Sequence, residues 1–232
     1  MAPNGHVPDE LALAGTEHLD PAYVASYDRK AAFDPAGDVA ELEELGLDGA
    51  ATLVDLGAGT GAFAVAAAGV CGRVVAVDVS PAMTAAIRVR VARLGLANVE
   101  VVEAGFLGYR HAGQPAAFVY TRNALHHLPD FWKAVALERI AGALRPGGIL
   151  RLRDIVYACE PREAEEVVSG WLEDAVEHPQ EGWTRAEREQ HVREEFSTFS
   201  WLLEEMLERA GFDVERAEVS AGVHADYLCR KR

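Results

Sequence analysis

Residues 52–61 read TLVDLGAGTG, and residues 74–81 read VVAVDVSP. The first stretch places three glycines at alternate positions directly after a short apolar run, and the second ends an apolar run on an aspartate. Short, continuous apolar runs are typical of strands buried on both faces of a parallel sheet. Because glycine accepts positive φ and has no Cβ, a glycine-rich turn lets the backbone pass close to a ligand. The two stretches therefore predict a strand–turn–helix unit that binds a ligand.

The alternation of strands and helices continues through the middle of the chain. Further apolar runs predict strands at 99–104, 116–121 and 149–157, with helical segments between them. Such alternation indicates a doubly wound α/β fold with a mostly parallel sheet. Residues 212–220 and 223–231 resemble two strands joined by a tight turn, so we expect an antiparallel C-terminal hairpin at the sheet edge.

Four segments follow from this pattern. Residues 1–48 are expected to form an N-terminal helical arm or cap, of which residues 1–18 are polar and expected to be frayed. Residues 49–157 form the ligand-binding core. Residues 158–191 interrupt the alternation and are expected to be a helical insertion after strand five that acts as a lid, and residues 192–232 supply a final helix and the hairpin.

Composition restricts the classes of function. The 232 residues, half of them hydrophobic, fit one α/β domain with a substantial core. The net charge of −15, from 22 Lys and Arg against 37 Asp and Glu, repels phosphates and anionic lipids, so neither nucleic acid nor a membrane is an expected partner. The three scattered cysteines, Cys71, Cys159 and Cys229, form neither a disulfide framework nor a zinc motif, and no metal site is expected. Without an apolar run of ~20 residues or a signal-peptide pattern, the expected location is the cytoplasm.

The glycine pattern around Asp55 distinguishes between ligands. Dinucleotide folds use G-x-G-x-x-G, and an alanine such as Ala62 is tolerated at the third glycine, so spacing alone leaves a dinucleotide possible. A carboxylate at Asp55 would repel a pyrophosphate but would help to hold an ammonium or sulfonium group. Asp78 ends the second strand a little over twenty positions after the first glycine, where a carboxylate can accept hydrogen bonds from both ribose hydroxyls.

These stretches resemble the class I S-adenosylmethionine-dependent methyltransferases over roughly residues 50–156. VDLGAGTG is similar to the first motif of that family, and VVAVDVSPAM is similar to its ribose-binding motif. LRPGGILRLRD resembles the motif around strand five, and NALHHLPD resembles the segment after strand four in type 11-like small-molecule members. The resemblance implies a Rossmann-like sheet of seven strands, S-adenosylmethionine as the cofactor and S-adenosylhomocysteine as the product.

The resemblance also implies where the cofactor binds. The glycine turn would pass the methionine moiety, Asp78 would hold the ribose, and Tyr23 and Tyr27 would either close over the methionine end or pack within the arm. Many members carry an acidic residue after strand three that bonds the adenine amino group. This chain has Gly105 and Phe106 there, so adenine recognition is expected to rest on backbone groups and on packing against Phe106. The expected cofactor-binding residues are Tyr27, Asp55, Gly57, Ala58, Gly59, Gly61, Asp78, Val79, Met83, Phe106, Thr121 and Asn123.

Candidate catalytic residues follow strand four. Methyl transfer mainly requires alignment of the reacting atoms, and a base is needed only when the acceptor must lose a proton. Arg122 and His126 are four positions apart, so a helical turn would place them on one face. Arg122 could orient an anionic acceptor while His126 takes a proton. Alternatively, His126 or His127 packs or hydrogen-bonds under the cofactor.

Strand five and the insertion supply candidates for acceptor binding. Arg151, Arg153 and Asp154 lie within a predicted central strand, where charges are costly unless they are paired or face a cavity. They are therefore either a structural ion pair or part of the acceptor pocket. Trp171 and Trp183 form either an apolar lid or the core of the insertion. We name Arg153, Asp154 and Trp171 as candidate acceptor-binding residues.

The sequence thus predicts a methyltransferase that transfers the methyl group of S-adenosylmethionine to an oxygen or carbon of a small organic molecule, with assistance from His126. One alternative is a nucleic acid methyltransferase, which the net charge disfavours and which would carry an N-P-P-Y-type stretch where this chain has VYTRNALHH. A second alternative is a non-catalytic or non-methylating S-adenosylmethionine-binding protein, whose binding loop would look the same. A nicotinamide-dependent enzyme is the least favoured.

Overall fold

The strands of the protein follow the predicted order along the chain. In the computed structural model, which describes residues 5–232 apart from the side chains of residues 16, 17, 21, 22, 25, 26 and 29, each of the apolar runs noted above is extended. The strands are β1 Thr52–Leu56, β2 Arg73–Asp78, β3 Val99–Glu103, β4 Ala116–Arg122, β5 Leu144–Tyr157, β6 Thr198–Phe199, β7 Phe212–Ser220 and β8 His224–Lys231.

Helices flank these strands, and their ends carry the expected signals. Ser80 caps α5 by accepting a hydrogen bond from the Met83 backbone N–H at 3.2 Å, Pro81 opens that helix, and Gly95 ends it with φ of 66°. Short 3₁₀ turns lie at Thr16–Leu19, Leu125–His127 and Pro161–Glu163. The helices are α1 Glu10–Leu13, α2 Pro21–Ala31, α3 Ala36–Glu44, α4 Ala62–Ala67, α5 Pro81–Leu94, α6 Asp130–Ala143, α7 Ala164–Glu173, α8 Arg185–Glu194 and α9 Ser200–Arg209.

The sheet is doubly wound, as predicted. Its strand order is β3-β2-β1-β4-β5-β8-β7, and β1 to β5 are mutually parallel. β8 lies antiparallel between β5 and β7, so the predicted hairpin completes the sheet, and the two-residue β6 adds a short parallel pair to the end of β5. The order reverses between β1 and β4, and the carboxyl ends of these two strands therefore border a crevice of the kind that binds ligands. The predicted fold class is confirmed, with one additional short strand.

The sheet is buried on both faces by apolar side chains. One cluster combines β1, β2, β4 and β5 residues with α6, α9 and the hairpin, and the other packs α3 and α4 against the opposite face. Both layers leave the carboxyl ends of the parallel strands uncovered by the core. Within residues 5–232, no helix is both long enough and apolar enough to cross a membrane.

Three boundaries differ from the sequence prediction by more than one or two residues. β5 begins at Leu144 rather than at residue 149, because Leu144 already pairs with Ala116 before a register shift. α8 continues to Glu194, past the expected segment boundary at 191, and the helix expected over 192–210 begins only at Ser200. The backbone N–H of Phe196 donates instead to the His126 carbonyl at 2.9 Å, which ties the intervening residues to the core.

The expectation of a frayed segment over residues 1–18 is wrong for its described part. Residues 1–4 lie outside the described residues. Helix α1 is capped by Asp9, whose side chain accepts from the backbone N–H groups of Leu11 and Ala12. The α1 residue Glu10 reaches the loop after β3, where its carboxylate accepts a hydrogen bond from the Leu107 N–H at 2.9 Å.

Candidate functional site

The glycine turn after β1 has the backbone that its sequence predicts. Gly57, Gly59 and Gly61 have φ of 74°, 55° and 80°, a region that strains any residue with a Cβ. A Cβ at Gly57 would also overlap the Ala124 side chain, so glycine is needed here for the close approach of the segment after β4. A Cβ at Gly61 would meet Ile87 at 3.1 Å, which indicates that Gly61 serves the packing of α4 rather than contact with a ligand.

Asp78 closes this turn from the end of β2. Its carboxylate accepts hydrogen bonds from the backbone N–H groups of Gly59 and Ser80, both at 2.8 Å. Burial raises the pKa of Asp78 to about 6, although these two N–H groups pull it downward. The Asp78 carboxylate therefore links the glycine turn to the start of α5. It can accept further hydrogen bonds from a ligand in the crevice.

Asp55 is a second buried carboxylate, and it is not fully paired. It is 2% exposed, and its Oδ2 has no hydrogen-bond partner among residues 5–232. Burial, together with the nearby charge of Asp78, raises the pKa of Asp55 to about 8. An unpaired acceptor of this kind suits a positively charged or hydrogen-donating ligand group.

Two connected chambers surround the glycine turn. The inner pocket extends from Asp78 past the start of α5 and the loop after β3, and the side chamber extends from Asp55 toward the insertion. Tyr27, Gly57, Gly59, Arg122 and Asn123 line both chambers. The inner pocket is lined also by Glu10, Ala14, His18, Leu56, Asp78, Val79, Ser80, Met83, Ala104, Gly105, Phe106, Ala124, His127 and Leu128. The side chamber is lined also by Asp28, Ala31, Phe33, Asp55, Ala58, Thr60, Ala62, Phe63, Tyr120 and Trp183.

Ten of the twelve residues expected to bind the cofactor line these chambers. The exceptions are Gly61, which packs against α5, and Thr121, which is 1% exposed within β4. Asn123 adopts φ of 49° and donates its backbone N–H to the Arg153 carbonyl at 2.8 Å. Its side-chain Oδ1 is without a hydrogen-bond partner in the described part of the chain, so it remains available to a ligand.

Glu10 occupies the position of the side chain that Gly105 lacks. A Cβ built on Gly105 would overlap the Glu10 carboxylate and lie 2.7 Å from its Oε2. That carboxylate accepts from the Leu107 and Gly108 backbone N–H groups, the latter at 3.0 Å. Burial raises the pKa of Glu10, against the lowering effect of these N–H groups. The N-terminal arm thus places an acidic group in the inner pocket at the loop after β3.

His126 is held between two carboxylates. Its Nδ1 makes a short contact with Asp154, and its Nε2 lies 2.9 Å from Glu195 Oε2. Burial alone would lower the pKa of His126, but the two carboxylates raise it to about 9. Because both ring nitrogens face carboxylates, the geometry does not favour the expected role of His126 as the base that takes a proton from the acceptor.

His127, rather than His126, is the imidazole that lines the inner pocket. Burial and the adjacent His126 charge lower the pKa of His127 to about 3, which keeps this ring neutral. Its Nδ1 has no hydrogen-bond partner within the described ranges of the chain. Among residues 5–232, His126, His127 and Glu195 form the group whose ligand atoms lie close enough together, within 4.8 Å, to hold a metal ion.

The residues named for acceptor binding lie elsewhere. Arg153 pairs with Asp226 at 3.2 Å, and Asp154 is buried beneath His126. Trp171 is 8% exposed and packs edge-on against His191, so it belongs to the core of the insertion. None of these three lines either chamber, because pairing or burial fixes each of them within the described structure.

A different set of side chains faces the side chamber. Trp183 lines it, and the guanidinium of Arg122 stands 4.2 Å from the ring centroid of Phe33. Asp38 lies 3.7 Å from Arg122 and partly balances its charge. Arg151, on β5, contacts Glu41 at 2.7 Å and Asp226 at 2.6 Å and is a structural ion pair.

The family model described as a methyltransferase domain matches residues 53–148, which include the glycine turn, Asp78 and the segment after β4. These residues form a methyltransferase domain, and the chain is an S-adenosylmethionine-dependent methyltransferase. No sequence among the curated proteins matches this methyltransferase significantly.

Solved methyltransferases share the fold of the enzyme at low sequence identity. A SAM-dependent methyltransferase from Aquifex aeolicus is 22% identical with a TM-score of 0.61, covering 92% of this chain and 99% of its own. Magnesium protoporphyrin IX methyltransferase from Synechocystis, with bound SAM, is 12% identical with a TM-score of 0.65, covering 99% and 100%. Phosphoethanolamine N-methyltransferase 2 from Haemonchus contortus, in complex with S-adenosylhomocysteine, is 16% identical with a TM-score of 0.69, covering 97% of this chain and 60% of its own.

The cofactor of the methyltransferase is S-adenosylmethionine, and the residues present fit it. The unpaired Oδ2 of Asp55, among the described residues, offers an acceptor to a cationic group, and the buried carboxylate of Asp78 lines the inner pocket beside the glycine turn. When bound, S-adenosylmethionine supplies an electrophilic methyl group on a sulfonium.

Sequence reasoning missed several residues of the methyltransferase site. Glu10, His18 and Phe33 line the chambers from the N-terminal arm, and Glu195 approaches His126 from the end of α8. The sequence gives a signal only for Glu10. Gly105 stands where many members of the family carry an acidic residue, which leaves room for an acidic side chain from another segment. The remaining contacts depend on how the arm and the insertion fold over the sheet.

Proposed function

We propose that the enzyme methylates a small organic acid at oxygen or carbon, with the acceptor bound as its anion. The observation that carries this proposal is Arg122, which lines both chambers and stacks on Phe33, in the side chamber that Trp183 also lines. A guanidinium in a chamber with aromatic walls suits a planar anion such as a phenolate, an enolate or an aromatic carboxylate. The net charge of −15 supports a small acceptor rather than a nucleic acid.

In this proposal the cofactor lies in the inner pocket, and each of its parts has a partner there. Asp78 would accept the ribose hydroxyls, and Phe106 and Met83 would border the adenine. Glu10 would accept the adenine amino group, because its carboxylate lies in this part of the pocket in place of a side chain at Gly105. The methionine end would pass the glycine turn and reach the side chamber.

The ammonium group of the methionine moiety has a partner in the side chamber. Asp55 would accept from the ammonium group through its unpaired Oδ2, which is buried and otherwise unsatisfied in the described structure. The methyl group would then face the space where the chambers meet, bordered by Tyr27, Arg122 and Asn123. Alignment of the acceptor anion with the sulfonium in this space is the main contribution that the enzyme makes to the rate.

His126 is a positioning residue in this proposal. Its two ring nitrogens face Asp154 and Glu195 rather than the acceptor, while the pKa of His127, lowered to about 3, makes His127 a weak proton acceptor. A site without a strong base favours acceptors that ionise readily in water. His126 assists by holding the segment after β4, which carries Arg122 and Asn123, against β5.

The first experiment is calorimetric titration of the enzyme with S-adenosylmethionine and, separately, with S-adenosylhomocysteine. We expect both to bind at micromolar concentrations. Transfer of a labelled methyl group is then measured for phenols, enolisable ketones and aromatic carboxylic acids, with amines and RNA as comparison classes. Labelling of amines or RNA alone would contradict the proposal, and so would binding of neither cofactor form.

Two variants test the roles of the side chains. Arg122→Gln is expected to raise KM for the acceptor with little change in cofactor affinity, whereas Arg162→Gln, at an exposed arginine of the insertion, is expected to change neither. His126→Gln is expected to lower kcat without altering the shape of the pH–rate profile. Loss of one limb of that profile in His126→Gln would instead identify His126 as the base.

A further inference from the structure

Three imidazoles converge on one carboxylate where the segment after β4 meets the end of α8. Glu195 Oε2 lies 2.7 Å from His191 Nδ1, 2.9 Å from His126 Nε2 and 3.7 Å from His127 Nδ1. His126 and His127 lie in the 3₁₀ turn after β4, whereas His191 lies in α8 and Glu195 follows that helix. The cluster therefore joins two segments of the fold next to the inner pocket.

The central atoms of this cluster are not satisfied by hydrogen bonds. Glu195 Oε2 and His127 Nδ1 are both buried, and neither has a hydrogen bond of acceptable geometry to any residue between 5 and 232. Buried polar atoms in this condition require another partner, such as an ion.

The outer contacts of the cluster are those that orient metal ligands. Asp154 contacts His126 Nδ1, which leaves His126 Nε2 directed toward Glu195. Asp154 is itself fixed by the backbone N–H groups of His126 at 2.9 Å and Ile155 at 2.8 Å. A carboxylate that fixes the far nitrogen of a histidine in this way is the usual companion of a histidine that binds a metal.

Backbone contacts, not only charge attraction, bring the ligand atoms together. The Phe196 N–H donates to the His126 carbonyl at 2.9 Å, and the Glu195 N–H donates to the His191 carbonyl at 2.9 Å. Lys133 donates to the Phe196 carbonyl on the other side. Glu195 is thus held beside His126 and His127 by the main chain.

We propose that His126, His127 and Glu195 bind a divalent first-row transition-metal ion. Two imidazole nitrogens and one carboxylate oxygen form a donor set that suits Zn²⁺, Fe²⁺ or Co²⁺. Bonds of ~2.0–2.2 Å in a tetrahedral site place ligand atoms roughly 3.3–3.6 Å apart. The distances of 2.9 and 3.7 Å from Glu195 Oε2 lie on either side of this range, and all three ligand atoms lie within 4.8 Å of one another. The proposal does not rest on the proposed acceptor.

The test is a titration of the purified, chelator-treated enzyme with Co²⁺, followed by visible absorption. We expect d–d absorption that saturates at one ion per chain and disappears when Zn²⁺ is added. The melting temperature should rise with Zn²⁺, because an ion that binds only the folded state stabilises it. Absence of d–d absorption together with no Zn²⁺ retained after gel filtration would overturn the proposal for the wild-type enzyme, without any variant.

Matched variants locate the site. Glu195→Gln and His127→Gln should each abolish the Co²⁺ absorption, whereas Glu194→Gln and His178→Gln, at exposed positions of the insertion, should retain it. Asp154→Asn should weaken Co²⁺ binding by about 10–100-fold, as expected for an outer contact. Absorption that persists in both Glu195→Gln and His127→Gln would place the ion elsewhere and refute the assignment. These readouts require neither S-adenosylmethionine nor an acceptor, so they are independent of the assay for methyl transfer.

Discussion

Moving the acidic side chain from position 10 to position 105 tests how the enzyme recognises adenine. Glu10 lies where a side chain on Gly105 would project, and the two residues are 95 positions apart in the sequence. Gly105 has no positive φ, so an aspartate there is strained only by its overlap with Glu10. We therefore predict that Gly105→Asp is damaging when Glu10 is present and restores binding when Glu10 is replaced by alanine.

The magnitude follows from the contacts that are lost. Glu10→Ala removes charge-assisted hydrogen bonds to the Leu107 and Gly108 N–H groups, at 2.9 and 3.0 Å, and the proposed bond to the adenine amino group. One hydrogen bond to a charged group contributes about 1.5–3 kcal/mol, or roughly ten- to a hundredfold in Kd. Loss of the two contacts to the loop affects the loop equally in the free and the cofactor-bound enzyme, so it changes Kd little. We therefore assign this range to the bond with the cofactor.

Calorimetry with S-adenosylhomocysteine and with its inosine analogue measures the effect. The wild-type enzyme should prefer the adenine form, Glu10→Ala should lose affinity and preference together, and Glu10→Ala/Gly105→Asp should recover both. Glu43→Ala, at an exposed acid of α3, is the control and should bind normally. Unchanged affinity in Glu10→Ala, or normal binding by Gly105→Asp alone, would refute the reasoning. Melting temperatures separate a loss of binding from a loss of folding.

Three further results are expected. Asp78→Ala should weaken S-adenosylmethionine binding by about 1.5–3 kcal/mol in calorimetry, and unchanged affinity would remove Asp78 from the ribose site. Burial raises the folded-state pKa of Asp55 to about 8, while the unfolded value is about 4, so the folded chain binds the extra proton between these values and the free energy of unfolding should fall as pH rises through this window. In urea denaturation, Asp55→Asn should show a smaller fall, which persists mainly below about pH 6, where Asp78 with its own raised pKa still contributes. Trp183→Ala should raise the acceptor KM and leave cofactor affinity intact, whereas Trp171→Ala should cost about 3–5 kcal/mol of stability as a core truncation, which an unchanged melting temperature would contradict.

The parts of the site that the sequence predicts are those built from contiguous residues. β1 and its turn are specified locally, because an apolar run fixes the strand and the glycines fix a backbone with positive φ. Asp78 follows from the same logic, since the carboxyl ends of β1 and β2 are adjacent in a parallel sheet. Thr121 was placed in the site by its position near the end of β4, but alternation of side chains along a strand turns it into the core, where it is 1% exposed.

The sequence predicts that the charged residues of β5 have partners, but it does not predict which residues these partners are. Charged residues inside β5 require partners, but the sequence does not identify Asp226 as the partner of Arg151 and Arg153, because that pairing depends on β8 lying antiparallel beside β5. The same limit applies to His126, whose function as a base depends on its surroundings. A histidine with one carboxylate neighbour can act as a base, whereas one clamped by Asp154 and Glu195 cannot do so without losing a buried contact.

Glu10 shows that the N-terminal arm contributes site residues that the sequence motifs do not reveal. The motif around Gly105 lacks an acid, which a purely local analysis interprets as weaker adenine recognition. In the structure, the acid is supplied by a four-residue helix whose own stability is slight, since so short a helix depends on tertiary contacts. Binding of the cofactor and folding of the arm are then coupled, because each provides part of the environment of the same carboxylate. Bound adenine would then stabilise the N-terminal arm further, and protection of the α1 amides from hydrogen exchange should therefore increase with S-adenosylhomocysteine in the wild type but not in Glu10→Ala.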